Sequence, residues 1–105
     1  IKTIIGPALE SLSILKKEEQ KFDLIFIDAD KENYKNYYDH SIDLIKKNGL
    51  IIIDNVLWYG DVVKKNKNDK ITTFIRDFNS YIKKDKKTEK VMMPIGDGLT
   101  ICRKL

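Results

Sequence analysis

Two apolar runs that each break off at an acid constrain this chain more than any other feature. Phe22-Asp23-Leu24-Ile25-Phe26-Ile27 leads into Asp28-Ala29-Asp30-Lys31, and Leu50-Ile51-Ile52-Ile53 leads into Asp54-Asn55. The continuous Ile, Leu and Phe of Leu24 to Ile27 and Leu50 to Ile53 predict strands buried on both faces, as in a parallel sheet covered by helices. In open α/β sheets, ligands bind beyond the carboxyl ends of the strands. Asp28, Asp54 and Asn55 thus fall where a site is expected.

The rest of the chain supplies the helices and further strands such a sheet needs. Ile1 to Ile5 reads as a short strand closed by Gly6-Pro7, and Ala8 to Glu19 as a helix with Ala8, Leu9, Leu12 and Leu15 on one stripe. Asp30 can cap a helix from Lys31 to Lys47, with Tyr34, Tyr38, Ile42 (or Ser41) and Ile45 inward and Asn48-Gly49 as its stop. His40 lies among polar residues and reads as exposed. The stretch from Asn55 to Asn68 has no regular period and is long for an α/β loop. Asp69 can cap a helix from Lys70 to Lys84, with Ile71, Phe74, Ile75, Phe78 and Ile82 at three-four spacing. Glu89 to Ile95 and Leu99 to Lys104 read as strands joined by Gly96-Asp97-Gly98, a turn so short that the pair must be an antiparallel hairpin. The predicted order is β-α-β-α-β-α-β-β, an α/β fold without internal repeats.

Neighbouring parallel strands lie about 4.8 Å apart. If the two acid-tipped strands are adjacent, Asp28, Asp54 and the amide oxygen of Asn55 can meet at one ion. Such a set suits Mg²⁺, Mn²⁺ or Ca²⁺ and not zinc. The competing reading is that Asp28 and Asp30 cap a helix and Asp54-Asn55 makes a turn. Lys31 is ambiguous in the same way: a general base if a neighbouring cation lowers its pKa, otherwise a surface lysine.

Charge bounds the alternatives. Among 105 residues there are 18 Lys and two Arg, for a formal net charge of +4. The lysines fall in short clusters at helix ends and in loops, without the interleaved aromatics of a nucleic-acid stacking surface, so they read as a solvated face. Cys102, the single cysteine, excludes an internal disulfide and a cysteine-based zinc site, and reads as a small core residue. No run has the length of a membrane-spanning helix and none resembles a signal peptide, making a cytoplasmic location the default expectation.

Three segments taken together change the weighing. Phe26-Ile27-Asp28-Ala29-Asp30-Lys31-Glu32-Asn33-Tyr34, Ile53-Asp54-Asn55-Val56-Leu57-Trp58-Tyr59-Gly60 and Pro94-Ile95-Gly96-Asp97-Gly98-Leu99-Thr100 closely resemble the cation-dependent O-methyltransferases of the caffeoyl-CoA and catechol type. The resemblance runs from about Gly6 to Lys104. It implies a class I S-adenosylmethionine-dependent methyltransferase fold (Rossmann-like), with Asp28, Asp54 and Asn55 as ligands of a divalent cation and Lys31 as the general base. It further implies that Asp28 and Ala8 meet the cofactor, S-adenosylmethionine. Trp58 and Tyr59 either wall the pocket of a phenolic, vicinal dihydroxy acceptor or, for Trp58, anchor a long loop to the core. Tyr59 stands where plant members often carry a substrate-contacting Asn. The resemblance also implies a homodimer.

On the family's strand order 3-2-1-4-5-7-6, residues 1–105 read as the C-terminal part of one methyltransferase domain, with strands 1 and 2 lacking. No glycine-rich strand-to-helix loop for the cofactor is present, and Ile1 opens inside a strand pattern without a Met. The chain thus reads as a piece of a longer protein and is expected to bind cofactor weakly and to be inactive alone. Two further readings stay open: an RNA methyltransferase exploiting the Lys excess, and a non-catalytic module serving dimerisation or interaction.

Overall fold

In the computed structural model, which describes residues 1–105, the strands β1 (Phe22–Ile27), β2 (Ile45–Asp54), β3 (Thr88–Met93) and β4 (Leu99–Lys104) form one mixed sheet in the order β1-β2-β4-β3. β1 and β2 are parallel, whereas β4 runs antiparallel to both β2 and β3. The acid-tipped runs are neighbours and the C-terminal pair is a hairpin, as the sequence predicts. Ile27 pairs with Ile53, so Asp28 and Asp54 leave the sheet at the same level. Asp54 pairs on its other side with Leu99, which brings the turn preceding β4 to that same end.

Three helices accompany the strands: α1 (Ala8–Lys17) precedes β1, α2 (Tyr34–Leu44) lies between β1 and β2, and α3 (Lys70–Lys84) lies between β2 and β3. α3 begins where Asp69 accepts hydrogen bonds from the Thr72 N–H at 3.2 Å and its hydroxyl at 2.8 Å, a side-chain N-cap. Its Phe78 and Ile82 join Tyr34, Tyr37, Tyr38 and Ile42 of α2 against Ile27, Ile51, Ile53 and Cys102 of the sheet. The rings of Tyr34 and Phe78 meet edge-on at 5.5 Å, fixing α2 against α3 above the tips of β1 and β2.

Several expectations need correction. Ile1 to Ile5 forms no strand: no partner strand lies beside it, and Ile1, Ile4 and Ile5 are exposed. The acid-tipped strands are covered on one face only. Ile27, Ile51 and Ile53 are buried, but Leu24 and Phe26 on the opposite face of β1 are 52% and 54% exposed because no helix packs there. The second helix ends at Leu44 instead of Lys47, since Ile45 already has extended backbone. Asn48-Gly49 is therefore no helix stop; it lies in an irregular stretch of β2, where the register advances five positions (Ile45 to Leu50) against two in β1 (Phe22 to Leu24). A Cβ on Gly49 would stand 2.9 Å from the Asp23 carbonyl oxygen, so only glycine fits the approach. Ile71 and Phe74 are exposed on α3, and Thr72 takes an inward place. His40 is half-buried, with Nδ1 out of solvent and unpaired.

Candidate functional site

Lys31 sits in a single 3-10 turn, Lys31–Asn33, between Asp28 and α2. Asp30, expected to cap the helix, makes no side-chain bond to a backbone N–H there; its carboxylate accepts from Asn33 Nδ2 and the Tyr37 hydroxyl. Freed from capping geometry, the turn folds the Lys31 side chain over the strand tips, where it is only 11% exposed. Its Nζ donates to Asp28 Oδ1 at 3.3 Å, the Ala29 carbonyl at 2.8 Å, the Tyr34 hydroxyl at 2.6 Å and Asn55 Oδ1 at 3.0 Å. Tyr34 in turn donates to the Asp54 carbonyl at 2.8 Å. One ammonium thus ties together the loop after β1, the start of α2 and the end of β2.

Burial alone would lower the pKa of Lys31, but hydrogen bonding and charge from Tyr34 and Asp28 outweigh it and raise the value above that of a free lysine. The Tyr34 phenol is likewise pushed up, chiefly by its own burial. In this arrangement Lys31 is a cation and Tyr34 a neutral phenol throughout the physiological range.

The loop after β2 is bent sharply. Asn55, Trp58, Tyr59 and Gly60 all have positive φ. The β3–β4 turn holds this shape. The Val56 N–H donates to the Gly98 carbonyl at 3.2 Å and the Leu57 N–H to the Asp97 carbonyl at 3.0 Å. The Asp97 carboxylate accepts from Tyr59 N–H at 2.6 Å and from Asn55 Nδ2 at 3.1 Å. Gly98 permits the contact: its φ is +84°, and a Cβ there would lie 2.6 Å from Leu57 Cγ. From the α3 side, Asn79 Nδ2 donates to the Val56 carbonyl at 2.8 Å.

Of the residues singled out from sequence, the structure brings Asp28, Lys31, Asp54, Asn55 and Trp58 together. Lys31 Nζ lies 5.9 Å from the centre of the Trp58 ring, so Trp58 borders the cluster, and Tyr59 packs edge-on against it at 5.2 Å while remaining 78% exposed. Ala8 is not brought in: it opens α1 as an exposed residue, with no hydrogen bond to the strand tips. Two members of the cluster go beyond the sequence reading. Tyr34 reads as core, and only its place three residues after Lys31 hints at more. Asp97 reads as a turn residue, and nothing local in the sequence points it at Asn55, 42 positions away.

No group of three or more His, Cys, Asp or Glu side chains is placed to hold a metal. The candidate set is instead two carboxylates and one amide. Asp28 Oδ1 and Asn55 Oδ1 already converge on one positive charge, the Lys31 ammonium, and Asp54 Oδ1 accepts from Asn55 N–H at 2.7 Å while Oδ2 has no protein partner. Hard oxygens gathered about a cation fit Mg²⁺-type ions, and the absence of His and Cys from the set disfavours zinc.

Over residues 1–105 the chain matches the family described as O-methyltransferase. It is 44% identical over 109 residues to caffeoyl-CoA O-methyltransferase 5 of Nicotiana tabacum, with 95% of this chain and 45% of the relative covered. Among solved structures it resembles an SAH-bound methyltransferase of Podospora anserina, with a TM-score of 0.84 and 31% identity, covering 99% of this chain and 49% of that one. An O-methyltransferase of Bacillus cereus, also in complex with SAH, is 31% identical with a TM-score of 0.83, covering 95% and 48%. The chain spans about half the length of these relatives. No helix is long and apolar enough to cross a membrane.

Proposed function

The chain belongs to the O-methyltransferase family, and from that premise we propose that the whole protein transfers a methyl group from S-adenosylmethionine to one hydroxyl of a catechol-like, vicinal dihydroxy small molecule. Asp28, Asp54 and Asn55 hold a divalent cation, Lys31 is the general base, Trp58 and Tyr59 border the acceptor, and Ala8 and Asp28 meet the cofactor. The observation that carries this reading is the convergence of Asp28 Oδ1 and Asn55 Oδ1 on a single positive charge at the tips of two parallel strands. The SAH held by the two structural relatives supports the methyl donor. The caffeoyl-CoA for which the tobacco relative is named carries vicinal ring hydroxyls, which supports the acceptor class.

The bound cation supplies charge that lowers the pKa of an acceptor phenol and fixes its oxygen. Lys31 Nζ would take the phenol proton as the acceptor oxygen gains the methyl group that S-adenosylmethionine would supply, the cofactor leaving as the neutral thioether. Lys31 can take that proton only after losing its own. Asp28 and Asn55, two of the groups it donates to, are the proposed ligands. Were those two oxygens bound to a divalent ion they would stabilise the ammonium less, and the added like charge would oppose it, which would favour the neutral amine. The strand tips contribute positioning: the pairing of Ile27 with Ile53 sets the backbone of Asp28 and Asp54 one residue beyond the same rung of the sheet.

The reading is tested in the full-length protein by replacing Asp54 with Ala and measuring methylation of a catechol acceptor with and without Mg²⁺. Cation-stimulated turnover is expected to disappear. Turnover equal to that of the parent protein would sink the metal assignment.

A further inference from the structure

We propose that Asp97, in the turn between β3 and β4, is a positioning residue that determines which end of the Asn55 amide faces the cation site. The inference rests on the reading of Asp28, Asp54 and Asn55 as cation ligands. A primary amide has two ends of nearly equal shape and opposite hydrogen-bonding character, so an Asn is a ligand only if something selects its oxygen. Asp97 Oδ2 accepts from Asn55 Nδ2 at 3.1 Å, which leaves Asn55 Oδ1 directed at Lys31 Nζ, 3.0 Å away. Rotating the amide by half a turn would set its oxygen against the Asp97 carboxylate and its NH₂ against the ammonium, two repulsive contacts in place of two favourable ones.

Lys31 cannot keep this role beside a divalent cation, because both positive charges claim the same oxygen. Asp97 touches only the far end of the amide and competes for nothing, so it is the anchor that remains. Its own place is fixed independently of Asn55: Oδ1 accepts from the Tyr59 N–H at 2.6 Å, and its carbonyl accepts from the Leu57 N–H at 3.0 Å. Outer partners of this kind orient ligands in metal sites, and their loss typically weakens metal binding tenfold to hundredfold.

The test is Mn²⁺ affinity of the full-length protein, measured by isothermal titration calorimetry with thermal midpoints alongside. Asp97→Ala is expected to weaken Mn²⁺ binding roughly tenfold to hundredfold. The reciprocal exchange Asn55→Asp with Asp97→Asn should recover affinity to within a few-fold of the parent, because a carboxylate at 55 presents oxygen either way while an amide at 97 still donates to it. A purely structural role for Asp97 would not follow this pairing, so Asp97→Ala and the exchange being equally weak overturns the proposal. So does unchanged affinity in Asp97→Ala while Asp54→Ala loses binding. Parent-like Mn²⁺ affinity in Asp54→Ala is a different failure: it removes the cation reading on which the proposal stands.

Discussion

Lys31 Nζ stands 3.0 Å from Asn55 Oδ1, a hydrogen bond spanning 24 residues that ties the loop after β1 to the tip of β2. The same ammonium is shared with Asp28, Ala29 and Tyr34, so it is held more firmly than its sequence context suggests. A role as general base and a role as counter-ion of Asp28 make opposite predictions for that ammonium.

For a base, Lys31→Met in the full-length protein should reduce kcat by about 10²–10⁴-fold at saturating Mg²⁺ and acceptor, with a smaller change in acceptor KM. Lys31→Arg should not restore it, because a guanidinium keeps its charge and its proton under all working conditions. A counter-ion role predicts the reverse, since arginine carries the same charge. Steady-state rates of the three proteins distinguish the two, and substantial rescue by arginine ends the general-base assignment.

The cofactor half of the proposed reaction leads to a second expectation. These 105 residues contain no glycine-rich loop joining a strand to a helix, the element against which the cofactor binds in Rossmann-like sheets. Beside β1 the sheet ends, with Leu24 and Phe26 exposed. Residues 1–105 expressed alone should therefore bind S-adenosylmethionine weakly or not at all by isothermal titration. Micromolar affinity would show that the cofactor is held by residues other than the missing loop.

How far the sequence could be read follows from how local each determinant is. Periodicity and end signals located α1, α3 with its Asp69 cap, and the closing hairpin, because each depends on residues within a few positions. The apolar runs alone left the adjacency of Asp28 and Asp54 conditional; the strand order implied by the family resemblance supplied it, and β1 and β2 do pair. What escaped was non-local. Leu24 and Phe26 look like core residues, yet their exposure depends on what packs against the far face of β1. Asn48-Gly49 reads locally as a helix stop, and its place inside β2, with Gly49 against the Asp23 carbonyl, depends on contacts far along the chain. Asp97 joins the site only because β4 pairs with β2, with Leu99 opposite Asp54.

Stability in acid should depend on Asp85, just past α3. Its carboxylate accepts from Tyr38 Oη at 2.8 Å and the Lys87 N–H at 3.0 Å, with 9% of the side chain exposed. Burial alone would raise its pKa, but the Lys87 N–H and the Tyr38 hydroxyl prevail and hold it below the ordinary carboxylate value. A depressed folded pKa contributes stability that is present above the unfolded value of about 4 and is lost as the pH falls through the folded value. Asp85→Asn should thus lower the unfolding free energy by about 1–3 kcal/mol at pH 7, with the difference shrinking below pH 4. Urea unfolding of both proteins at pH 7 and pH 3 checks this, and an unchanged difference contradicts it.

The close approach of the hairpin turn to the loop after β2 makes Gly98 and Gly60 a matched pair. Both have positive φ, +84° and +79°, so alanine at either incurs a left-handed backbone cost of roughly 1–2 kcal/mol. Only at Gly98 does the added Cβ meet anything, with Leu57 Cγ at 2.6 Å; at Gly60 nothing lies within 4 Å. Gly98→Ala should therefore be more destabilising than Gly60→Ala by about 1–3 kcal/mol, the usual range for overpacking. Relief of that clash would push the turn away from the loop and strain the bonds from the Val56 and Leu57 N–H groups to the Gly98 and Asp97 carbonyls. Because Asp97 reaches Asn55 through the same turn, Gly98→Ala should also weaken Mn²⁺ binding by the full-length protein, and Gly60→Ala should not. Equal unfolding midpoints for the two variants would show that Leu57 yields without cost and that the turn is not held where the structure places it.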